Sequence, residues 1–314
     1  MTTPRSAFLS KITQGLEKRR EAELLRTLEL PAGIDFTSND YLGFCADSRL
    51  RDSVAKAIQE HGTGAGASRL LRGNHPVHVE TEKVLAKFCG REAALLFSSG
   101  FAANLGLFGA LAGNGDVLFS DSLNHASIID GMRLSKAERV VYKHQDYQDL
   151  KSKLQTTPCS GQRFIVTESV FSMDGDISNL PDLIEIAQNN DALVIVDEAH
   201  STGLYGNRGS GIVERDGLEK SVLCSMHTGG KALGVGGAWI AADQALISHL
   251  VNHARSFIYS TAPIPAMAHG IRSSIEHLQA QPSLADELHS RAKHLRSSLR
   301  KLGIDTLKSD SHII

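Results

Sequence analysis

The sequence predicts an α/β fold built on a seven-stranded, mainly parallel sheet flanked by helices. Three observations carry that prediction. Seven short β-rich runs recur through the middle of the chain: Ala94–Ser98, Val117–Asp121, Arg139–Lys143, Arg163–Glu168, Ala192–Asp197, Ser221–His227 and Ala238–Ala242. Helical patterns separate many of them, at Phe101–Leu111, Ala126–Leu134, Tyr147–Leu154 and Leu180–Asn189. Strand–helix alternation of this kind predicts parallel strands covered on both faces. The chain has 314 residues, 41% of them apolar, which is enough to bury a large core. Ligands in such sheets sit beyond the carboxyl ends of the strands, so the residues that close each strand are the first to inspect.

The flanking segments complete the organisation. Apolar positions Phe8, Leu9, Ile12, Leu16, Leu24, Leu25 and Leu28 among mixed charges predict an amphipathic helix over Phe8–Leu28, packed on the body or on a partner subunit, within an N-terminal helical arm at residues 1–45. A large domain at 46–281 follows. After Pro263 and Pro265 it closes with a helix at Ala266–Ala280, and Pro282 marks the boundary to a second, smaller domain. Only the beginning of that domain, at 282–314, is expected: a charged helix at Leu284–Leu302 and a strand opening at Ile304–Leu307.

Composition excludes several function classes. Lys plus Arg (33) nearly balance Asp plus Glu (35), so no broad basic field exists to hold nucleic acid or an anionic membrane. No run of about 18 apolar residues is present, which excludes a transmembrane helix on length. Cys45, Cys89, Cys159 and Cys224 lie far apart without a C-x-x-C pair, which argues against a disulfide framework or a thiolate metal site and fits a reducing cytoplasm. Small-molecule chemistry is the better expectation.

The strand ends supply candidates for it. In Ala192–Leu–Val–Ile–Val–Asp197–Glu–Ala–His200 an acid closes an apolar strand, and such an acid stays ionised only beside a cationic partner. A protonated pyridine nitrogen is one such partner. His200, three residues on, is within reach of the same ligand. The letters Asp–Glu–Ala–His also resemble the magnesium motif of nucleic-acid helicases. That reading needs a P-loop, and the only Gly–Lys pair here, Gly230–Lys231, is followed by Ala232 where Ser or Thr is required.

Thr228–Gly–Gly–Lys231 follows an apolar strand and precedes Gly234, Gly236 and Gly237. Glycines clear bulk from beside a flat ring, a lysine in a closed site loses its proton and forms an imine, and Thr228 offers a hydroxyl to a phosphate. A lone Gly–Gly–Lys is more often a solvated turn; Asp197 upstream shifts the balance. Phe97–Ser–Ser–Gly100–Phe101 joins a strand to a helix start whose free amides suit an anion. His125, after the strand that ends at Asp121, is placed to stack on a ring. Ser172 lies in the turn Val170–Phe–Ser–Met–Asp–Gly175, otherwise an ordinary Asp–Gly turn.

Taken in order, these segments resemble the α-oxoamine synthase family of fold-type I pyridoxal 5'-phosphate (PLP) enzymes. Phe36–Thr–Ser–Asn–Asp–Tyr–Leu–Gly43, Gly64–Ala–Gly–Ala–Ser–Arg–Leu–Leu–Arg–Gly–Asn74–His75 and Phe257–Ile–Tyr–Ser–Thr–Ala262 belong to the same resemblance, which runs the length of the chain. It implies a PLP-dependent transferase in which Lys231 carries the cofactor as a Schiff base, Asp197 binds the pyridine nitrogen and His125 stacks on the ring. Ser172 and His200 would lie near the ring oxygen, and Thr228, Gly100 and Phe101 would complete the pocket. Arg26, placed in the N-terminal helix, matches an arginine assigned to the acyl substrate, and His125 also meets substrate. In the implied homodimer, Ser260 and Thr261 reach the partner's phosphate. The implied reaction is a decarboxylative condensation of L-alanine with an acyl thioester on coenzyme A or an acyl carrier protein, with glycine and acetyl-CoA as the alternative pair. A non-catalytic partner subunit is the weaker alternative, since the lysine is present. Family members continue into a small domain with an arginine for the amino-acid carboxylate, so impaired amino-acid binding and an exposed apolar face are expected of this chain.

Overall fold

The computed structural model describes residues 3–314, and contacts divide the chain after Ser38 into two compact units. In the first, Pro4–Glu21 is a helix. Thr3 caps it by accepting the Ser6 N–H at 3.2 Å, and Pro4 suits a first turn that needs no N–H. The helix predicted to reach Leu28 stops at Glu21. Lys18, Arg19 and Arg20 favour a C-terminus there, and Glu23, with φ at 56°, turns the chain off the helical path. Arg26, expected within the helix, is therefore not helical and lies exposed in the irregular segment beyond. No residue of this helix is buried.

The second unit is the α/β body. Its strands are β1 (Ala93–Phe97), β2 (Val117–Asp121), β3 (Glu138–Tyr142), β4 (Arg163–Glu168), β5 (Ala192–Asp197), β6 (Cys224–Thr228) and β7 (Ala238–Ala242). They form one seven-stranded sheet in the order β1-β7-β6-β5-β4-β2-β3. Only β7 is antiparallel, to β1 and β6. All seven predicted strands form, and β6 begins at Cys224 instead of Ser221 because the Ser221 and Val222 amides close a turn onto the Leu218 carbonyl.

Alternation along the strands divides the core. Leu95, Phe97, Phe164, Val166, Ile195, Met226 and Ile240 pack with Ala103, Leu107 and Phe108 of the helix Gly100–Leu111. Alternate residues Phe119, Ile165, Val194 and Val196 pack with Leu150 and Leu154 of Tyr147–Thr156 and with Leu183 and Ile184 of Leu180–Gln188. Leu96 and Trp239 meet the helices Pro76–Phe88 and Pro265–Gln279. Each fully buried Leu or Ile here stabilises the fold by about 1.5–3 kcal/mol. The final helix, Ser283–Lys301, belongs to the same compact unit.

The strand expected at Ile304–Leu307 does not form. Leu307 has φ at 51°, and the segment is instead tied to the last helix: Arg300 Nε donates to Thr306 Oγ1 at 2.8 Å, and Arg296 donates to the Ser311 carbonyl at 2.5 Å.

Strand order reverses between β2 and β4, so the carboxyl ends of β2, β4, β5 and β6 open on one crevice. A clamp at its border joins two elements: His144 Nδ1 lies 2.9 Å from Asp121 and its Nε2 lies 2.7 Å from Asp176. Burial disfavours the imidazolium, but hydrogen bonds and charge from both carboxylates outweigh it and raise the His144 pKa above 6.5. A raised folded-state pKa contributes stability that is fully present below the unfolded value and is lost as pH climbs through the folded one. We expect the gap in unfolding free energy between wild type and His144→Asn to be widest below pH 6.5 and to shrink above it. Denaturant titrations across pH measure this; a gap that widened with pH would refute the clamp.

Candidate active site

Four strand ends and one helix start supply the crevice. A cavity of about 180 Å³ is lined by Gly100, Phe101, His125, Ser127, Glu168, Asp197, Ala199, His200, Met226, Thr228 and Lys231. Of the residues singled out from sequence, Lys231, Asp197, His125, His200, Thr228, Gly100 and Phe101 meet there. A larger pocket of about 330 Å³ lies along β1, lined by Arg69, Glu82 and Gln244 among others. The smaller cavity holds the convergent titratable groups, and chemistry belongs there.

Asp197 closes β5 and is 6% exposed. Its Oδ2 accepts from Asn104 Nδ2 at 3.0 Å and its Oδ1 accepts from the Ala199 N–H at 2.9 Å. Both donors are neutral. Burial pushes the acid's pKa up, while Lys231 and the two donors pull it back. A cationic ring nitrogen would add to the positive charge that this buried carboxylate otherwise draws chiefly from Lys231.

Lys231 Nζ lies 2.7 Å from His200 Nε2. Burial lowers the lysine pKa, opposed by Asp197 and Glu168. On the far side of the imidazole, His200 Nδ1 is 2.7 Å from the Tyr41 hydroxyl. Burial, and then the charge of Lys231, pushes the His200 pKa down to about 2. His200 is therefore neutral at physiological pH and places no cation against the lysine.

His125 caps the helix Ala126–Leu134; its Nδ1 accepts from the Ser127 N–H at 3.2 Å. The ring is exposed, as a stacking surface has to be, while Asn104 Nδ2 donates to Ser127 Oγ at 2.9 Å beneath it. Ser99 caps the helix that starts at Gly100, leaving first-turn amides free for an anion. Thr228 Oγ1 accepts from Gly230 N at 3.2 Å and sits at the end of β6. Gly234, with φ at 65°, lets the lysine loop pack against residues 44 and 45: a Cβ there would lie 2.6 Å from the Cys45 nitrogen.

Three sequence candidates of the α/β unit, Ser172, Ser260 and Thr261, do not line the cavity. Ser172 is half-buried in the 170–177 turn and does not line the cavity. Ser260 and Thr261 line a separate pocket with Ser98 and Ser256. Arg26 belongs to the N-terminal unit. Conversely, Glu168, Asn104, Ser127 and Tyr41 carry site contacts that the sequence assigns to none of them. Glu168 carried the same signal as Asp197, an acid closing an apolar strand. Tyr41 lies in the segment Phe36–Gly43 that carries the resemblance, but its contact with His200 has no local signal because the two are 159 residues apart in sequence.

Fold and crevice together define a fold-type I transferase. Residues 31–314 match the model of the aminotransferase class I and II family. The 8-amino-7-oxononanoate synthase of Lysinibacillus sphaericus is 42% identical over 279 residues, 89% of this chain and 72% of the relative. That of Geobacter sulfurreducens is 40% identical over 314 residues, covering 95% and 80%. Among solved structures, a variant serine palmitoyltransferase from S. paucimobilis with a bound PLP–myriocin aldimine matches with a TM-score of 0.89 at 27% identity, over 98% of this chain and 83% of that one. The 8-amino-7-oxononanoate synthase of Francisella tularensis matches with a TM-score of 0.77 at 31% identity, covering 88% and 78%. The chain belongs to the aminotransferase class I and II family and, within it, to the 8-amino-7-oxononanoate synthases.

Proposed function

We propose that this chain is a PLP-dependent acyltransferase of biotin biosynthesis, which condenses L-alanine with a pimeloyl thioester and releases the thiol and carbon dioxide. The observation that carries it is the convergence of Lys231, Asp197, His125 and a free helix start on one cavity. Asp197, buried with neutral donors, fits a protonated pyridine nitrogen, and the amides at Gly100 and Phe101 fit a phosphate; the Thr228 hydroxyl, which donates to the Gly237 carbonyl at 3.1 Å, would turn from it to reach that phosphate.

Bound PLP supplies the electron sink for the charge left on the substrate carbon. Lys231, its ammonium disfavoured by burial, takes the amino acid's α-proton at Nζ and later returns it. Asp197 would hold the ring nitrogen protonated, and His125 would lie against the ring and orient the substrate. His200, uncharged, keeps a hydrogen bond at Lys231 without competing for its proton. Arg26 is assigned to the acyl substrate by resemblance. Ser172 is kept as a ligand near the ring oxygen on the same ground.

A homodimer is part of the proposal, with Ser260 and Thr261 reaching the partner's phosphate; their position in a pocket apart from Lys231 supports that reading. Residues 282–314 are read as opening a smaller domain. Among the described residues no helix is long and apolar enough to cross a membrane, and four free cysteines support a cytoplasmic location.

The test is a substrate panel. Purified protein is given L-alanine or glycine with pimeloyl and acetyl thioesters, and thiol release is followed. Turnover of L-alanine with the pimeloyl donor is expected; rapid turnover only of glycine with acetyl-CoA would replace this assignment.

A further inference from the structure

Glu168 is the strand-end acid to which no role has been given. It closes β4 as Asp197 closes β5, and the two are paired in parallel register, which sets their side chains on one face of the sheet. They are 2% and 6% exposed. Two adjacent carboxylates in such a wall do not both keep a charge unless each has its own cation. Lys231 is the one cation that acts on both, and Asp121 adds a further negative charge near Glu168.

Hydrogen bonds decide which acid is the anion. Asp197 accepts two N–H groups, from Asn104 and Ala199. Glu168 accepts one, from the His125 main chain to Oε1 at 2.6 Å. Burial and the neighbouring Asp197 push the Glu168 pKa well above the ordinary carboxylate value. Glu168 lines the cavity, and with Oε1 turned to His125 the other oxygen, Oε2, is left available to it.

We propose that Glu168 is a positioning residue acting as a neutral carboxylic acid: its Oε1 fixes the main chain of His125, and its protonated Oε2 presents an O–H donor to the cavity. Asp197 then carries the single negative charge offered to the cofactor nitrogen, and the His125 ring is held over the cavity by its own backbone. The inference rests on the proposed function for what the cavity holds, but the protonation of Glu168 does not depend on that reading.

Glu168→Gln keeps an oxygen acceptor for His125 and an N–H donor toward the cavity, whereas Glu168→Ala removes both. In cofactor-free protein at neutral pH, infrared difference spectra are expected to show the carbonyl band of a protonated carboxylic acid, lost in Glu168→Gln. With PLP added, Glu168→Gln should bind within about threefold of wild type and keep the pH midpoint of its visible band, while Glu168→Ala binds about tenfold more weakly. No acid band lost in Glu168→Gln, or equal damage in both variants, or an Ala variant that binds like wild type would each overturn the proposal. If Glu168→Ala fails to fold, the infrared comparison of Glu168→Gln still decides it. A wild type that takes up no PLP would sink the function proposed above while leaving the infrared result to judge Glu168.

Discussion

Replacing Lys231 with alanine is expected to abolish turnover and leave the fold intact. The side chain occupies the cavity, not the core, so its loss removes no packed apolar surface, and the neighbouring Ala232 and Leu233 remain buried. In the proposed mechanism Lys231 is both the covalent anchor and the base. A positioned general base contributes about 10²–10⁴-fold, and Lys231 Nζ is the one amine among the cavity-lining groups. His200, the nearest alternative, is a poor base with its pKa pushed down to about 2. We therefore expect a loss of roughly 10⁴-fold in thiol release, with the visible band of the lysine-bound cofactor gone and an unchanged thermal melt. A variant that kept more than about a tenth of wild-type turnover would mean that the base lies elsewhere, since a tenth corresponds to only about 1.4 kcal/mol of barrier.

The sheet was legible because its signal is local. Runs such as Ala192–Asp197 are apolar up to the closing acid, and the structure buries all of this one but Leu193, the state that erases alternation and leaves a continuous apolar string. Helix Ala126–Leu134 was readable to the residue because His125 caps it and Ser135 ends it. Helices Ser48–His61 and Pro76–Phe88 were not singled out, although Asp47 caps the first and Pro76 opens the second; their apolar positions are spread thinly among charges. The N-terminal helix was overextended, because Leu24, Leu25 and Leu28 continue its spacing whereas Glu23 breaks the path with a positive φ.

Within the site, Lys231, Asp197 and His125 announced themselves by position at strand ends. The Tyr41–His200 and Asn104–Asp197 contacts did not, since each joins segments distant in sequence, and only the folded chain shows that the asparagine four residues into a helix is what holds the acid. Glu168 is the instructive omission. The rule that points to Asp197 applies equally to it, but the turn Val170–Gly175 that follows draws attention to Ser172 and not to the acid that closes the strand.

Asp197→Asn is the second large effect. The amide cannot accept from both Asn104 and Ala199 with the same geometry: its NH₂ group must face one of two N–H donors, leaving a buried donor unpaired at a cost of about 1–3 kcal/mol. It also removes the negative charge set against the cofactor nitrogen. Breaking a buried ion pair costs about 3–5 kcal/mol, so turnover with L-alanine should fall roughly 10²- to 10⁴-fold. Glu168 offers a specific escape. Burial still disfavours the Glu168 anion, but once Asp197 is neutral the like charge that adds to it is gone, and ionisation of Glu168 beside Lys231 becomes easier. Part of the charge facing the cofactor is then restored from the next strand. The double variant Asp197→Asn/Glu168→Gln should therefore lose more activity than the product of the two single losses, a coupling that residues acting independently would not show. Strict additivity in that cycle would mean that Glu168 never takes up the charge, and Asp197→Asn alone retaining turnover within about tenfold of wild type would remove Asp197 from its place at the ring nitrogen.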